Sequence, residues 1–573
     1  MQPGAATARR TRSPLARGEV TAAFAIATAI AALFAFDAWH HGALGAARND
    51  DWAYYRVVFT FADTGVFRLD GWPQMSFVGQ AVGALPVVAA FGHSIAALQV
   101  TVALVGALGV GACYCILRRF LSPAMASLAC ATLVVGPVFG SLSVSFMTDV
   151  PALSLQAVTL LIGLKALERP RVSLPLLLFA ATTGVLAVSI REYAAVAIGA
   201  VLALAFVKAV LAHERDTARR VVAVAVTVAV VAGAIMLWRR SLPHDVPTAL
   251  DGSADHLGAA LRWTLPRAVL TLAAFVAPMA FVVSPARLAR RSWRASRSCT
   301  VGACAAGAAF IVTTGGQPFL GNYFTPYGSY PIAIAGSAPR LVAPAPWALI
   351  TLAAVYSLVV ALWTTTVTWT ERRATSLTAV ASLRAGIERD PAGLLVVAFC
   401  ASVAVLSVGV VAVTSAPFAD RYLVVLVPFA GGLFLRAVDR YDLARRNWRL
   451  VAGATLVAFA CVGFVFVDAA ATVDGAAWHT SRRVEALGVA PEAIDGGLAW
   501  FGFHQSVAAD PGSSRPATTW WAALFPDQQV CATVEYGPTR RPALVRYRAR
   551  TVFGRAIELV GVAGPDRGTC PQR

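Results

Sequence analysis

Charge is scarce in this chain. Of its 573 residues only 14% are charged, against 58% hydrophobic, and the mean hydropathy is +0.66. A soluble globule needs a charged surface, so this composition places the chain among membrane proteins. Acids are scarcer than bases, with 30 Asp and Glu against 48 Lys and Arg for a net charge of +18. No basic face with interleaved aromatics accompanies that excess, which excludes nucleic acid as a partner. Internal repeats and matched broken helices are also missing, and this argues against an alternating-access transporter. Histidines and cysteines do not cluster into a metal-ligand spacing. Cys113, Cys115, Cys130, Cys299, Cys304, Cys400 and Cys461 fall inside apolar runs, where a thiol packs as a small hydrophobe. Cys531 and Cys570 lie in a polar tail and can pair if that tail faces an oxidising compartment. The basic start "ARRTRSPLARGEV" is followed by no small-residue cleavage site, so the first apolar run reads as an uncleaved span.

What is present is a series of long apolar runs. Val221 to Trp238 and Leu450 to Val467 each give about 18 residues without a charge, enough for roughly 30 Å of hydrocarbon. Reading runs against breaks predicts about 13 spans, near 20–39, 95–117, 124–141, 150–167, 173–189, 193–211, 220–238, 268–284, 299–314, 347–369, 392–414, 421–436 and 449–467. Arginine clusters recur in alternate connections, such as "HERDTARR" and "ARLARRSWRASR", and by the positive-inside rule they set the N-terminus in the cytoplasm. The expected class is an all-α polytopic protein of the plasma membrane with a small C-terminal extracytoplasmic domain, α/β or mainly β. Its expected divisions are a cytoplasmic segment 1–19, a membrane domain 20–467 with a first outer loop 40–94, and the outer domain 468–573. Within that last part "ATVEYG", "ALVRYRART" and "AIELVGV" read as strands. Ser76 to Gly92, apolar but interrupted by Gln80 and Pro86, reads as a helix lying at the membrane surface.

The acids that remain gather in the outer connections. "NDDWAYYR" sets Asp50 and Asp51 side by side just beyond the first span. A carboxylate in a partly apolar site becomes a better base, suited to taking a proton from an attacking hydroxyl; a solvated loop acid or helix cap is the plainer alternative. "VSFMTDVPAL" places Asp149 before Pro151, where it can cap the next helix.

Taken together these stretches resemble the C-type membrane glycosyltransferases, the superfamily of the protein O-mannosyltransferases and of the aminoarabinose transferases that act on lipid A. The resemblance rests on "NDDWAYYR", on Thr64, Gly65 and Phe67 after it, on the turn Phe146 to Pro151, and on the late Arg421, Tyr422 and Pro428. It implies an enzyme that moves a sugar from a polyprenyl-phosphate lipid to an acceptor hydroxyl on the outer face, the acceptor being a protein, a glycan or a glycolipid. The family's first-loop base falls on Asp51 or Asp50, with Asp51 preferred by its order, and Asp149 matches the second acidic position. Many relatives carry a Pro-Pro or His-Pro-Pro element after the first loop's glycine, where this chain has "GWPQMSF" with Pro73 alone; the acceptor class stays open.

A lipid-phosphate donor needs a cation beside its phosphate. Arg191, Arg239, Arg240 and Arg421 stand at expected span ends, although an arginine there also snorkels to lipid headgroups. Arg191 and Glu192 interrupt an apolar hairpin, a costly placement for idle charges; Arg421 has Asp420 as an alternative partner. No cofactor is required by this chemistry, and the adjacent Asp50 and Asp51 leave room for a divalent cation. The Gly, Pro and Tyr-rich stretch Gly315 to Pro331 reads equally as a sugar-covering loop or a surface Ω-loop. The competing functions are an outer-face oligosaccharide polymerase or ligase, and a lipid or small-molecule transporter or flippase.

Overall fold

Apolar runs without water to satisfy their backbone must become helices, and they do. The computed structural model describes residues 16–570 except 73–74, 247–248, 252, 291–301, 303–306, 309, 374–378, 416, 514–516, 526–527, 567 and 569. Residues 1–15, half of the 299–314 span, the arginines of 291–300 and Pro73 therefore lie outside the described residues. The first ten helices are α1 (Arg17–His40), α2 (Asp51–Thr64), α3 (Val78–Phe91), α4 (Ile95–Leu117), α5 (Pro123–Val134), α6 (Phe139–Ser143), α7 (Asp149–Leu167), α8 (Leu174–Ile190), α9 (Ala195–Leu211) and α10 (Arg215–Arg240). Longer helices follow at Pro344–Arg373, Pro391–Val413 and Trp448–Glu485. Starts are fixed by side-chain caps: Ser94 Oγ accepts the Ala97 N–H at 3.2 Å, and Ser122, just before Pro123, accepts that of Met125.

Among the described residues, 8 helices are long and apolar enough to cross a membrane, as a multi-pass membrane protein requires. The expected count of 13 is not confirmed: of the five expected spans without such a helix, two break near a proline, two hold shorter helices and one lies half outside the described residues. The run 124–141 ends at Val134, turns through Gly136 and Pro137, and restarts as the five-residue α6. The run 268–284 likewise breaks after Phe275 and resumes at Ala277–Ala280 with Pro278 inside. The helices within 173–189 and 421–436 are only 17 and 15 residues long. Neighbouring helices approach closely through small residues; a Cβ on Gly109 of α4 would meet Ser154 Oγ of α7 at 2.3 Å.

The three predicted strands fall where expected, as β2 (Ala532–Tyr536), β3 (Ala543–Arg550) and β4 (Ala556–Ala563), and an unforeseen two-residue β1 (Ile494–Asp495) joins them in the order β1-β2-β4-β3. β2 and β3 pair antiparallel with β4, and β1 runs parallel to β2. Cys531 and Cys570 form a disulfide. The expected boundary at 468 is not a break, because one helix of 38 residues continues to Glu485 and buries Asp468, Thr472, Asp474 and Thr480 on its second half. This sheet region braces the first loop: Arg56 pairs with Asp70 at 2.7 Å and donates to the Gly502 and Val507 carbonyls, while Trp52 packs edge-on against Phe525.

Candidate active site

The first loop is held in a strained path. Asn49 adopts φ 49°, a region that asparagine tolerates better than most residues, and α2 begins two residues on. α2 ends at Gly65 in the left-handed region (φ 69°), whose N–H bonds the Phe61 carbonyl; the Thr-Gly pair of the sequence is thus a helix stop.

Asp50 and Asp51 are adjacent but do different things. Asp51 is fully buried and both its oxygens are used: one accepts the Arg48 N–H, the other the Phe146 N–H at 2.9 Å. Phe146 is fixed a second time by Gln80, which donates to its carbonyl at 2.8 Å, and its ring stacks on Tyr55. Asp51 therefore ties the first loop to the "FMTD" turn. Burial pushes its carboxyl up to about 8, against the pull of the two N–H donors. Asp50 stands at the N-cap position of α2 yet makes no cap bond. Its Oδ2 accepts from Arg421 Nη1 at 3.0 Å and its Oδ1 from Trp72 Nε1 at 3.3 Å, and the side chain keeps 17% exposure.

Asp149 opens α7, with Thr148 rather than Asp149 at the N-cap, so the capping alternative does not describe it. It is buried, 2.6 Å from Arg191 Nη1 in an ion pair, but neither of its oxygens accepts a hydrogen bond; Nη1 donates instead to Thr148 Oγ1 at 3.1 Å. Arg191 lies between the rings of Tyr193 (5.1 Å) and Tyr422 (5.0 Å), and Arg421 lies 5.6 Å from the Tyr422 ring. Arg421 also feels the charge of both Asp50 and Asp149, and its buried Nε has no partner. The structure thus brings Asp149, Arg191 and Arg421, all buried, together with the partly exposed Asp50 into one largely buried quartet, with Asp51 behind it as a brace.

Two predicted arginines stand apart. Arg239 is buried, pairs with Asp245 at 2.8 Å and exerts its charge on Glu192. Arg240 is exposed at the end of α10. Nor does Arg421 pair with Asp420 as a hydrogen-bond partner: Asp420 Oδ2 instead accepts the N–H groups of Asn322, Tyr323 and Phe324 (3.2, 2.8 and 2.7 Å) and anchors the Gly315 to Pro331 loop against the site. That loop is more than a surface loop, because it delivers Tyr323 and Tyr330. Tyr330 Oη donates to Asp474 Oδ2 at 2.6 Å, as does the Nε of the buried Arg48. Arg48, Asp474, Tyr323 and Tyr330 were not singled out individually; Arg48 carried a signal inside "ARNDDW", the two tyrosines only as part of the Gly315 to Pro331 stretch, and Asp474 none. A cleft beside them is lined by Asn49, Tyr330, Asp474, Trp478 and Trp500.

Residues 85–238 match the family described as dolichyl-phosphate-mannose-protein mannosyltransferase. The chain resembles the C-type membrane glycosyltransferases. The matched segment carries Asp149 and Arg191 and begins after Asp50 and Asp51. No curated protein matches the chain. Two solved structures are similar, both of ArnT from Cupriavidus metallidurans. The one bound to undecaprenyl phosphate is 14% identical, with 96% of this chain and 100% of that one covered and a TM-score of 0.39. For the apo state the figures are 14%, 96%, 99% and 0.35.

Proposed function

We propose that this protein transfers a sugar from a polyprenyl-phosphate donor to an acceptor hydroxyl at the outer membrane face, with Asp50 rather than Asp51 as general base. The observation that carries the assignment is the contrast between the two acids. A base needs a free lone pair and access to substrate. Asp51 lacks that access, being sealed from solvent with each oxygen held by a backbone N–H group. Asp50 is partly exposed, and its main partner, Arg421, has a buried Nε without a bond.

A donor phosphate arriving at Arg421 and Arg191 competes for guanidinium groups that Asp50 and Asp149 hold in its absence, and it releases Asp50 beside the anomeric carbon. Guanidinium geometry suits such an anion. The acceptor oxygen then bonds to the anomeric carbon, the bond from that carbon to the phosphate oxygen breaks, the acceptor proton passes to Asp50, and the lipid phosphate leaves with its charge met by the arginines. Asp149 holds Arg191 in place. The cleft with Tyr330, Trp478 and Trp500 offers aromatic faces for an acceptor ring.

The test is transfer from a labelled polyprenyl-phosphate sugar by purified protein. Asp50→Asn lowers kcat by about 10²–10⁴ while donor binding persists, and Arg421→Ala mainly weakens donor binding. Full activity in Asp50→Asn sinks the proposal. A polymerase, ligase or flippase role predicts no dependence on Asp50.

A further inference from the structure

A second cluster of chemistry-bearing side chains lies apart from the quartet, where α1 ends. There "FDAWHH" puts Asp37 and His41 four residues apart on one helix face. Asp468, from the middle of the Trp448–Glu485 helix, meets them: its Oδ1 is 2.8 Å from His41 Nε2, and Asp37 Oδ1 is 3.8 Å from the same nitrogen. One ligand atom from each of the three lies within 4.8 Å of the others.

Two features go beyond a chance gathering of acids. Both carboxylates are buried, Asp37 at 4% and Asp468 at 0% exposure, and a single imidazole stands between them. Asp37 Oδ2, moreover, has no hydrogen-bond partner, a costly state for a buried oxygen. Asp468 is oriented from behind by the Val552 N–H, which reaches both its oxygens at 3.2 and 3.1 Å from the turn joining β3 to β4. Metal-ligating carboxylates are commonly held by such outer hydrogen bonds.

We propose that Asp37, His41 and Asp468 bind one divalent transition-metal ion, zinc being the best fit, as a structural site that fastens α1 to the C-terminal sheet. One imidazole and two carboxylates make a donor set for zinc or manganese rather than for calcium, which takes oxygen ligands. Ligand atoms around a tetrahedral zinc stand about 3.4 Å apart; the separations of 2.8 and 3.8 Å bracket that value, so small side-chain adjustments admit the ion. A divalent ion neutralises both carboxylates and gives Asp37 Oδ2 the partner it lacks. It also joins three segments far apart in sequence: α1, the Trp448–Glu485 helix and the β3–β4 turn.

The experiment uses the full chain in detergent, stripped with a chelator and then titrated with zinc chloride by calorimetry and with cobalt(II) by absorption. Expected are one ion per chain, a higher Tm with zinc, and a cobalt spectrum of tetrahedral type without thiolate charge transfer, which separates this site from the cysteines. Asp37→Asn and His41→Gln each weaken binding at least about tenfold and abolish the zinc-dependent rise in Tm, while their metal-free Tm stays close to that of the parent. If those variants fail to fold, the cobalt spectrum of the parent decides alone. A thiolate spectrum, no saturable binding, or undiminished binding in both folded variants overturns the proposal and leaves the cluster a hydrogen-bonded imidazole only.

Discussion

Removing the Arg191 guanidinium tests the logic of the buried quartet most directly. Asp149 and Arg191 keep 3% and 4% of their side-chain surface, and Asp149 accepts no hydrogen bond, so its charge is met chiefly by Arg191 at 2.6 Å. Arg191→Met leaves that carboxylate buried and uncompensated, at a cost of about 3–5 kcal/mol. Asp149→Asn is milder, because Arg191 retains Thr148 Oγ1 and its two tyrosine rings; the loss of a charged partner costs about 1.5–3 kcal/mol. In the double variant Arg191→Met with Asp149→Asn no charge is stranded, and stability recovers part of the Arg191→Met loss. The assay is reversible unfolding in mixed micelles followed by tryptophan fluorescence, as a complete double-mutant cycle. Additivity of the two single losses within about 0.5 kcal/mol would refute the reasoning, since it would mean that the two side chains do not depend on each other.

Asp51 has an ordinary value of 3.8 and is raised to about 8 in the fold. The folded state therefore holds its proton more tightly than the unfolded state, and this residue subtracts stability as pH climbs from about 4 to about 8. The stability of Asp51→Asn relative to the parent should rise over that range; a flat difference contradicts the burial argument. Gly71, at φ +73°, faces the Ala509 carbonyl so closely that a Cβ would lie 1.9 Å from the oxygen. Gly71→Ala should loosen the first loop from the C-terminal region at a cost of about 1–3 kcal/mol, read as a lower Tm and faster proteolysis of that loop. Cys531→Ser opens a crosslink of sequence separation 39, worth about 4 kcal/mol in the chain-entropy account; thermal unfolding with and without reductant checks it.

Helices and strands were legible because each reports a local period. Apolar runs forecast α1, α4, α7, α9 and α10, and short β-branched or aromatic runs forecast β2, β3 and β4. Hydropathy did not show the helix breaks near Pro137 and Pro278, in apolar runs that it reads as continuous. Three members of the buried quartet were visible as charges out of place: Asp50, Asp149 and Arg191. Arg421 was visible too, though its partner was not, since Asp420 stands next to it in the chain and Asp50 stands 371 residues away.

Composition and periodicity by themselves determined that this is a helical membrane protein carrying a small sheet, and that its few acids cluster at particular connections. Only the tertiary structure decided what those acids do. Adjacent residues on a helix point in different directions, so Asp50 met an arginine from the far end of the chain while Asp51 met two backbone N–H groups. The same holds for Asp37, His41 and Asp468: four residues of helix made the first pair readable, but a contact across 427 residues supplied the third. A hydrophobic pattern fixes which residues avoid water; which buried charges become neighbours is settled when helices pack.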